Sequence, residues 1–303
     1  MGTNWPLVTV VIPTYLRPHL VPKAVQAVLD QHYPGPIECL VVFDREEPYR
    51  PEVSVPAHRE LRCLLNVREG AAGAYNTGIL AASGEYVAIC DDDDEWLPAK
   101  LRLQIEALSR DRDAAVAITG IYVCNGRTHV RLPRKERLSP DDVLRAPRSV
   151  VHMSTIIASR ENFLDRIGLF DETIPSSYGE DLDWLMRAAR VGPILAVRRA
   201  LVRVNFRDSY YKERWQLILD ALTYQLSRVP ALARHRPNLA RMYGRMAFAH
   251  ASLGRPAEAR LWAGRSIALN WRQPRGYLAF FVSLRLVRSE TLVRLARAAG
   301  RGI

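Results

Sequence analysis

Four successive carboxylates, Asp91-Asp92-Asp93-Asp94, close the apolar run Tyr86-Val87-Ala88-Ile89-Cys90 and are followed by Glu95-Trp96-Leu97-Pro98. Like charges crowded at a strand end repel one another, so the pattern asks for a cation. Magnesium and manganese are hard ions that take carboxylate oxygen, keep open coordination positions and bridge to nucleotide phosphates. A metal and diphosphate site is one reading. The other is a solvated acidic turn capping a helix that starts near Pro98, since carboxylates favour helix N-termini. A second acidic pair, Glu180-Asp181, leads into Leu182, Leu185 and Met186 and, on its residues alone, reads as a cap of that helix.

The elements that position these acids read as an α/β pattern. Val8 to Pro13 is a β-rich run, and Val21, Ala24, Val25, Val28 and Leu29 follow at helical spacing. Ile37 to Phe43 and Leu61 to Val67 repeat the strand signal, Ala71 to Ala82 reads as helix, and Tyr86 to Cys90 as the strand that delivers the acids. Strands alternating with helices predict a mainly parallel sheet covered on both faces. In such sheets ligands bind beyond the carboxyl ends of the strands, where Thr14-Tyr15, Asp44 and the aspartate run all fall. Pro98 to Leu108 is expected to be helix, Ala114 to Val123 strand, and Arg127 to Pro147 a polar loop with a short helix near Asp141. Val150 to Ala158 reads as strand, Ser159 to Ile167 and Asp181 to Val191 as helices. Beyond about Asn205 only helices are expected: Glu213 to Val229, Asn238 to Leu253, Pro256 to Leu269 and Pro274 to Ala299. This divides the chain into an α/β domain, 1–208, and a basic helical region, 209–303. Gly254 to Trp271 resembles the second helix of a tetratricopeptide repeat, but one such unit makes no solenoid, and a helical hairpin is expected.

The 303 residues, 48% apolar and 25% charged, have an ordinary globular composition. The net charge of +11 is uneven: residues 1–200 carry 24 basic and 27 acidic side chains, whereas residues 201–303 carry 19 basic and 5 acidic. A region so basic is attracted to anionic headgroups, phosphorylated lipid carriers or acidic glycans. Nucleic acid is not expected, because no recognition motif accompanies the charge. No signal pattern opens the sequence, and the apolar run Tyr277 to Leu284 is far short of a bilayer span. Cys39, Cys63, Cys90 and Cys124 form no C-x-x-C pair, which fits a reducing cytoplasm and excludes a zinc ribbon. The seven histidines show no metal-ligand spacing; His152, near a strand before Glu180-Asp181, either faces the cleft or is a satisfied structural histidine, and the second is expected.

Taken in order, Val10-Val11-Ile12-Pro13-Thr14-Tyr15, the strand end at Asp44, Asn76-Thr77-Gly78, Gly84-Glu85-Tyr86, Asp91 to Pro98 and Gly179-Glu180-Asp181-Leu182-Asp183 resemble the motif series of family 2 glycosyltransferases with the GT-A fold. The resemblance covers about the first two-thirds of the chain. It implies a nucleotide-sugar donor linked to UDP, GDP or dTDP, a divalent metal, Mn2+ or Mg2+, and inversion at the anomeric carbon. By family position Pro13, Thr14, Tyr15 and Arg17 line the nucleoside pocket, Asp44 accepts from the base, and Asn76 belongs to the donor site. Asp91-Asp92-Asp93 matches the family's D-x-D element. Asp93 is then the metal ligand, with Asp91 or Asp92 near the ribose and metal-bound water, while Asp94 and Glu95 cap the next helix. Glu180-Asp181 matches the acidic pair beside the acceptor. Asp181 is the expected base, Glu180 the reserve, and Trp184 either stacks on acceptor sugar or belongs to the core.

The sequence departs from the family at four places. Leu16 stands where Asn is common, Tyr75 where Arg is common, Phe43-Asp44-Arg45-Glu46 replaces a D-D-G-S type segment, and Asn205 occupies the position of a His that helps hold metal or diphosphate. The resemblance implies an inverting, metal-dependent transferase extending a glycan or glycolipid in cell-surface polysaccharide synthesis. A cytoplasmic location is expected; for the basic helical region, peripheral contact with anionic membrane at the inner face is a separate expectation, set against a solvated arginine-rich face without a partner. The alternative is a catalytically weak GT-A-like domain that binds nucleotide sugar or serves as a scaffold.

Overall fold

The computed structural model describes residues 5–125, 127–145, 152–205, 214–228 and 230–298. The chain packs as two units: Met1–Cys124 with Thr128–Glu172 and Glu180–Phe206, and Asn125–Arg127 with Thr173–Gly179 and Arg207–Ile303. The boundary expected at 208/209 lies outside the described residues.

In the first unit β1 (Val8–Thr14), β2 (Ile37–Phe43), β3 (Arg59–Leu65) and β4 (Tyr86–Ile89) pair in parallel, with β1 between β2 and β4. All seven residues of β2 are buried, as a strand covered on both faces requires. Helix α1 (Val21–Leu29) turns Val21, Ala24, Val25, Val28 and Leu29 inward, the face its spacing predicts. Helix α2 (Gly70–Ala81) is buried from Ala72 to Ile79 and lies tight against β1: a Cβ on Gly78 would fall 2.3 Å from Val11 Cγ1. Close packing on the sheet accounts for that glycine.

The sheet continues through β5 (Glu95–Trp96), β6 (Val116–Asn125), β7 (Arg127–Arg131), β8 (Arg137–Leu138), β9 (Ile157–Ser159) and β10 (Ile194–Asn205). Its order is β3-β2-β1-β4-β9-β6-β10-β5, with β7 on β6 and β8 on β10. The sheet is mixed: β6 pairs β10 in parallel, while β9, β5 and β8 run antiparallel to their neighbours. Helices α3 (Lys100–Arg110), α4 (Pro140–Arg145) and α5 (Glu180–Val191) complete this unit.

Several expectations are corrected. The strand expected over Val150–Ala158 is, where described, a 3-10 turn at Met153–Thr155 followed by the three residues of β9. The helix expected over Ser159–Ile167 is present over 160–166, but widened, with Ile167 N–H and Gly168 N–H both donating to Asn162 O. The supposed loop after Arg127 begins with β7. Strand β10 escapes a periodicity reading because its register shifts between Val197 and Ala200 and again before Val202, which breaks the alternation.

The second unit consists of α6 (Trp215–Arg228), α7 (Pro230–Arg234), α8 (Arg236–Ser252), α9 (Pro256–Leu269), α10 (Pro274–Ser283) and α11 (Ser289–Ala298). Helices α8 and α9 form a hairpin through Gly254, whose φ of +72° suits glycine. Their seam is built of small residues, Ala247, Ala251, Ala259 and Ala263, and Ser266 donates to Ala240 O at 2.7 Å. The single helix expected over Pro274–Ala299 is broken: Arg285 adopts φ +60°, and the N–H groups of Arg285 and Leu286 turn back to Val282 O and Phe281 O. That is a left-handed helix stop. The segment Thr173–Gly179 belongs to this unit, with Gln225 Nε2 donating to Tyr178 O and the Arg245 guanidinium 5.0 Å from the Tyr178 ring centroid. Among the described residues no helix is long and apolar enough to cross a membrane.

Candidate active site

The ends of β1, β2 and β4 meet because their registers are fixed side by side, Thr14 opposite Phe43 and Val11 opposite Ile89. Asp44 N–H donates to Thr14 O at 2.8 Å, and Thr14 Oγ1 donates to Asp92 Oδ2 at 2.8 Å. Three segments distant in sequence therefore share one strand-end crevice. Asp44 also accepts from Asn66 Nδ2 at 2.8 Å and pairs with Arg45, whose guanidinium lies 5.0 Å from the centroid of the exposed Tyr15 ring. Pro13 precedes Thr14 in β1, opposite Val42. Leu16 takes a φ of +53° with its side chain in solvent; Asn tolerates that backbone better than Leu, a physical reason for the residue common at this position.

The aspartate run divides its labour. Asp92 and Asp94 are buried, whereas Asp91 and Asp93 are half-buried. Asp91 accepts the Tyr75 hydroxyl at 2.6 Å and donates its N–H to Ser154 Oγ at 2.9 Å. Arg17 Nη1 lies 3.0 Å from Asp92 Oδ1 and 3.2 Å from Asp93 Oδ2, so a guanidinium answers part of the cationic demand. Burial, together with the charges of Asp91 and Asp92, pushes the Asp93 carboxyl up to about 7. Asp94 points inward, accepting the Ser154 hydroxyl and the Asn205 N–H, with His152 Nδ1 at 3.5 Å. Burial raises the Asp94 carboxyl well above its usual range and lowers the His152 imidazole.

Asp94 and Glu95 do not cap the next helix. Ala99 is the residue before α3, and Glu95 lies in β5 paired with Lys23 and Arg203. The cluster missed by sequence spacing is Asp91, Asp94 and His152, whose potential ligand atoms all lie within 4.8 Å of one another. Its histidine is 58 positions from Asp94, too far for a local motif. This oxygen-rich donor set, with one imidazole beside it and a crowded Asp93 carboxyl, fits a hard divalent ion.

Asp181 sits in the first turn of α5, its Oδ1 accepting the Leu182 N–H at 2.7 Å. Burial pushes its carboxyl up to about 6, with the charge of Asp91 adding in the same direction. A carboxyl so placed is poised to take a proton near neutral pH. Its neighbour Glu180 is buried.

Two candidate residues are placed elsewhere. Trp184 is 0% exposed, stacked on Phe163 at 4.6 Å and donating Nε1–H to Gly168 O, so it is core and cannot stack on an acceptor. Asn76 is also buried: its Nδ2 donates to Phe170 O and Glu172 Oε1, and its Oδ1 accepts the Phe170 N–H. It clips α2 to the 170–172 segment instead of facing a donor. A depression of about 500 Å³ lined by His32, Leu97, Tyr122 and Arg199 includes none of the carboxylates.

A family model described as glycosyl transferase family 2 matches residues 9–173. An uncharacterized glycosyltransferase of Rickettsia typhi is 25% identical over 242 residues, 74% of this chain and 75% of that protein. Longer rickettsial glycosyltransferases are matched over only about a third of their length. The UDP-Glc:alpha-D-GlcNAc-diphosphoundecaprenol beta-1,3-glucosyltransferase WfgD of Escherichia coli is 31% identical over 106 residues, 35% of this chain and 42% of its own. Among solved structures, the mannosyltransferase PcManGT of Pyrobaculum calidifontis, in complex with GDP-Man and Mn2+, aligns with a TM-score of 0.53 at 19% identity, covering 98% of this chain and 87% of its own. That likeness establishes the GT-A type of fold.

Proposed function

The chain belongs to glycosyl transferase family 2, and on that premise we propose that it transfers a sugar, with inversion, from a nucleotide-sugar donor to a hydroxyl of a glycan or lipid-linked acceptor in polysaccharide synthesis. The observation that carries the proposal is Asp181: a carboxyl at the start of α5, raised to about 6 and within the field of Asp91. It takes the proton of the acceptor hydroxyl as the acceptor oxygen bonds to the anomeric carbon and the bond to the diphosphate oxygen breaks. The nucleoside diphosphate leaves with that electron pair. A base is needed on the face opposite the leaving group, and a carboxylate poised near neutral pH supplies it.

The nucleoside is held by Thr14, Tyr15 and Asp44 at the ends of β1 and β2, and Arg17 is placed to exchange one of its carboxylate partners for a phosphate. Asp93 and Asp91 would hold the divalent ion, with Asp94, His152 and Asn205 as the inner wall of that site. When bound, the ion supplies positive charge that stabilises the departing diphosphate. The mixed nucleotides of related proteins, UDP in one name and GDP in another, make the donor an experimental question.

Nucleoside diphosphate release should be measured from UDP-, GDP- and dTDP-sugars, with and without Mn2+ or Mg2+, for the native chain, Asp93→Ala and Asp181→Asn. Metal-dependent release from one donor, lost in both variants, is the expected result. Donor-induced thermal stabilisation without release, in the presence of a lipid-diphosphate acceptor, would sink the transferase reading and leave a binding protein.

A further inference from the structure

Helix α10 is packed inside out. Its inward face consists of Arg275, Gly276, Ala279 and Ser283, all buried, while Tyr277, Phe280, Phe281 and Leu284 are 40%, 40%, 46% and 45% exposed. These four recur at i, i+3, i+4 and i+7 and form one stripe. The inversion is built in: a Cβ on Gly276 would fall 2.9 Å from Ile267 Cγ1, so the seam with α9 admits only small residues there. Trp271, 67% exposed, stands before the stripe and Leu286, 66% exposed, after it. Large apolar side chains gathered on one exposed face mark an interaction surface.

Charge identifies the partner. From Arg255 to the C-terminus the sequence carries ten arginines against Glu258 and Glu290, and Arg272, Arg285 and Arg288 are exposed around the stripe. Two copies of so cationic a face repel, whereas anionic headgroups attract it. Tyr and Trp at the margins are the residues that favour a bilayer interface, with an apolar ring and a polar tip. Arg272 already lies over the Trp271 ring, 5.0 Å from its centroid, its charge held at the edge of the apolar surface.

We propose that α10 and its flanks form a membrane-docking surface, with Phe280, Phe281 and Leu284 entering the headgroup–acyl boundary of an anionic bilayer and the surrounding arginines on lipid phosphates. This goes beyond the transfer reaction, and its assay contains no sugar nucleotide, so failure of either leaves the other standing.

The test is co-sedimentation of the full chain with phosphatidylcholine vesicles, with and without phosphatidylglycerol. Binding should require phosphatidylglycerol, weaken with salt, and fall about tenfold or more in Phe280→Ser/Phe281→Ser and in Arg272→Gln/Arg288→Gln. All four positions are exposed, and unchanged thermal melting verifies folding. Brominated acyl chains should quench part of the native fluorescence, and Trp271→Phe should remove that part. Native-like binding by the serine variant, or quenching unchanged by Trp271→Phe, overturns the proposal. So does a native chain that ignores vesicles and self-associates through the phenylalanines, which assigns the face to a second copy.

Discussion

The two units differ in where their conspicuous charged and aromatic side chains lie. In the α/β unit large apolar side chains go inward, Trp184 and Phe163 being fully buried, and carboxylates are drawn in with them: Asp92 and Asp94 at one strand end and Glu180 at the start of α5. In the helical unit the seam of α8 and α9 is alanine and serine beside the buried Phe248, while on α10 and its flank Trp271, Phe280 and Phe281 stand exposed among arginines. Buried acids raise proton affinity and serve chemistry within a cleft. In the docking surface proposed above, exposed aromatics beside arginine serve adhesion to an anionic bilayer.

Substitutions can break this contrast, and the largest effect belongs to Asp181. Asp181→Asn should lower kcat by about 10²–10⁴-fold, measured as diphosphate release. In the native protein kcat should fall as pH drops through about 6, where Asp181 takes up its proton. The stability effect runs the other way. The folded state holds that proton more tightly than an unfolded chain with a carboxyl near 3.9, so its stabilising contribution is full at low pH and lost as pH rises from about 4 to about 6. Asp181→Asn should therefore raise Tm at pH 8 and leave it nearly unchanged at pH 4. A lower Tm at both would make Asp181 a structural cap.

Next in size is Trp184→Ala, which should cost about 3–5 kcal/mol in denaturant melts, the range for emptying an aromatic site in a core. The same truncation at the exposed Trp271 should stay within about 0.5 kcal/mol. A shift in acceptor KM with stability kept would reverse the placing of Trp184. Smaller still, Tyr75→Phe deletes the hydroxyl on Asp91 and should cost about 1 kcal/mol, read as a several-fold loss of kcat/KM with the fold intact. Smallest is Leu16→Asn, which relieves a left-handed leucine and should stabilise by about 0.5–1 kcal/mol.

Much of the α/β unit was legible because its signals are local. The β-rich runs of β1, β2 and β4, the valine face of α1 and the aspartates after Cys90 each declare themselves within about ten residues. What was illegible depends on partners far apart in the chain. Tyr75 looked like a lost arginine until its hydroxyl was found on Asp91; Asn76 looked like a donor ligand until its amide was found spent on Phe170 and Glu172. Asp94 read as a cap because helix caps are local, whereas Ser154 comes from the 3-10 turn before β9 and Asn205 from the end of β10. Trp184 could be read as core or as ligand from the helical pattern of α5, and only packing on Phe163 decides. The break at Arg285 escaped because arginine is a good helix former and carries no stop signal of its own.

The place of β10 in the sheet has a consequence for synthesis on the ribosome. This strand, residues 194–205, is inserted between β6 and the two-residue β5, and its last N–H closes on Asp94. Until it emerges, β6 has an open edge, β5 lacks its partner and the inner wall of the acid cluster is unfinished. Pairings between segments so distant in sequence form slowly, and open edges invite association meanwhile. The growing chain therefore passes through a vulnerable interval in which most of the sheet exists without its lock, and nascent chains stopped at residue 190 should be captured by chaperones while those stopped beyond 205 with the exit tunnel cleared should escape.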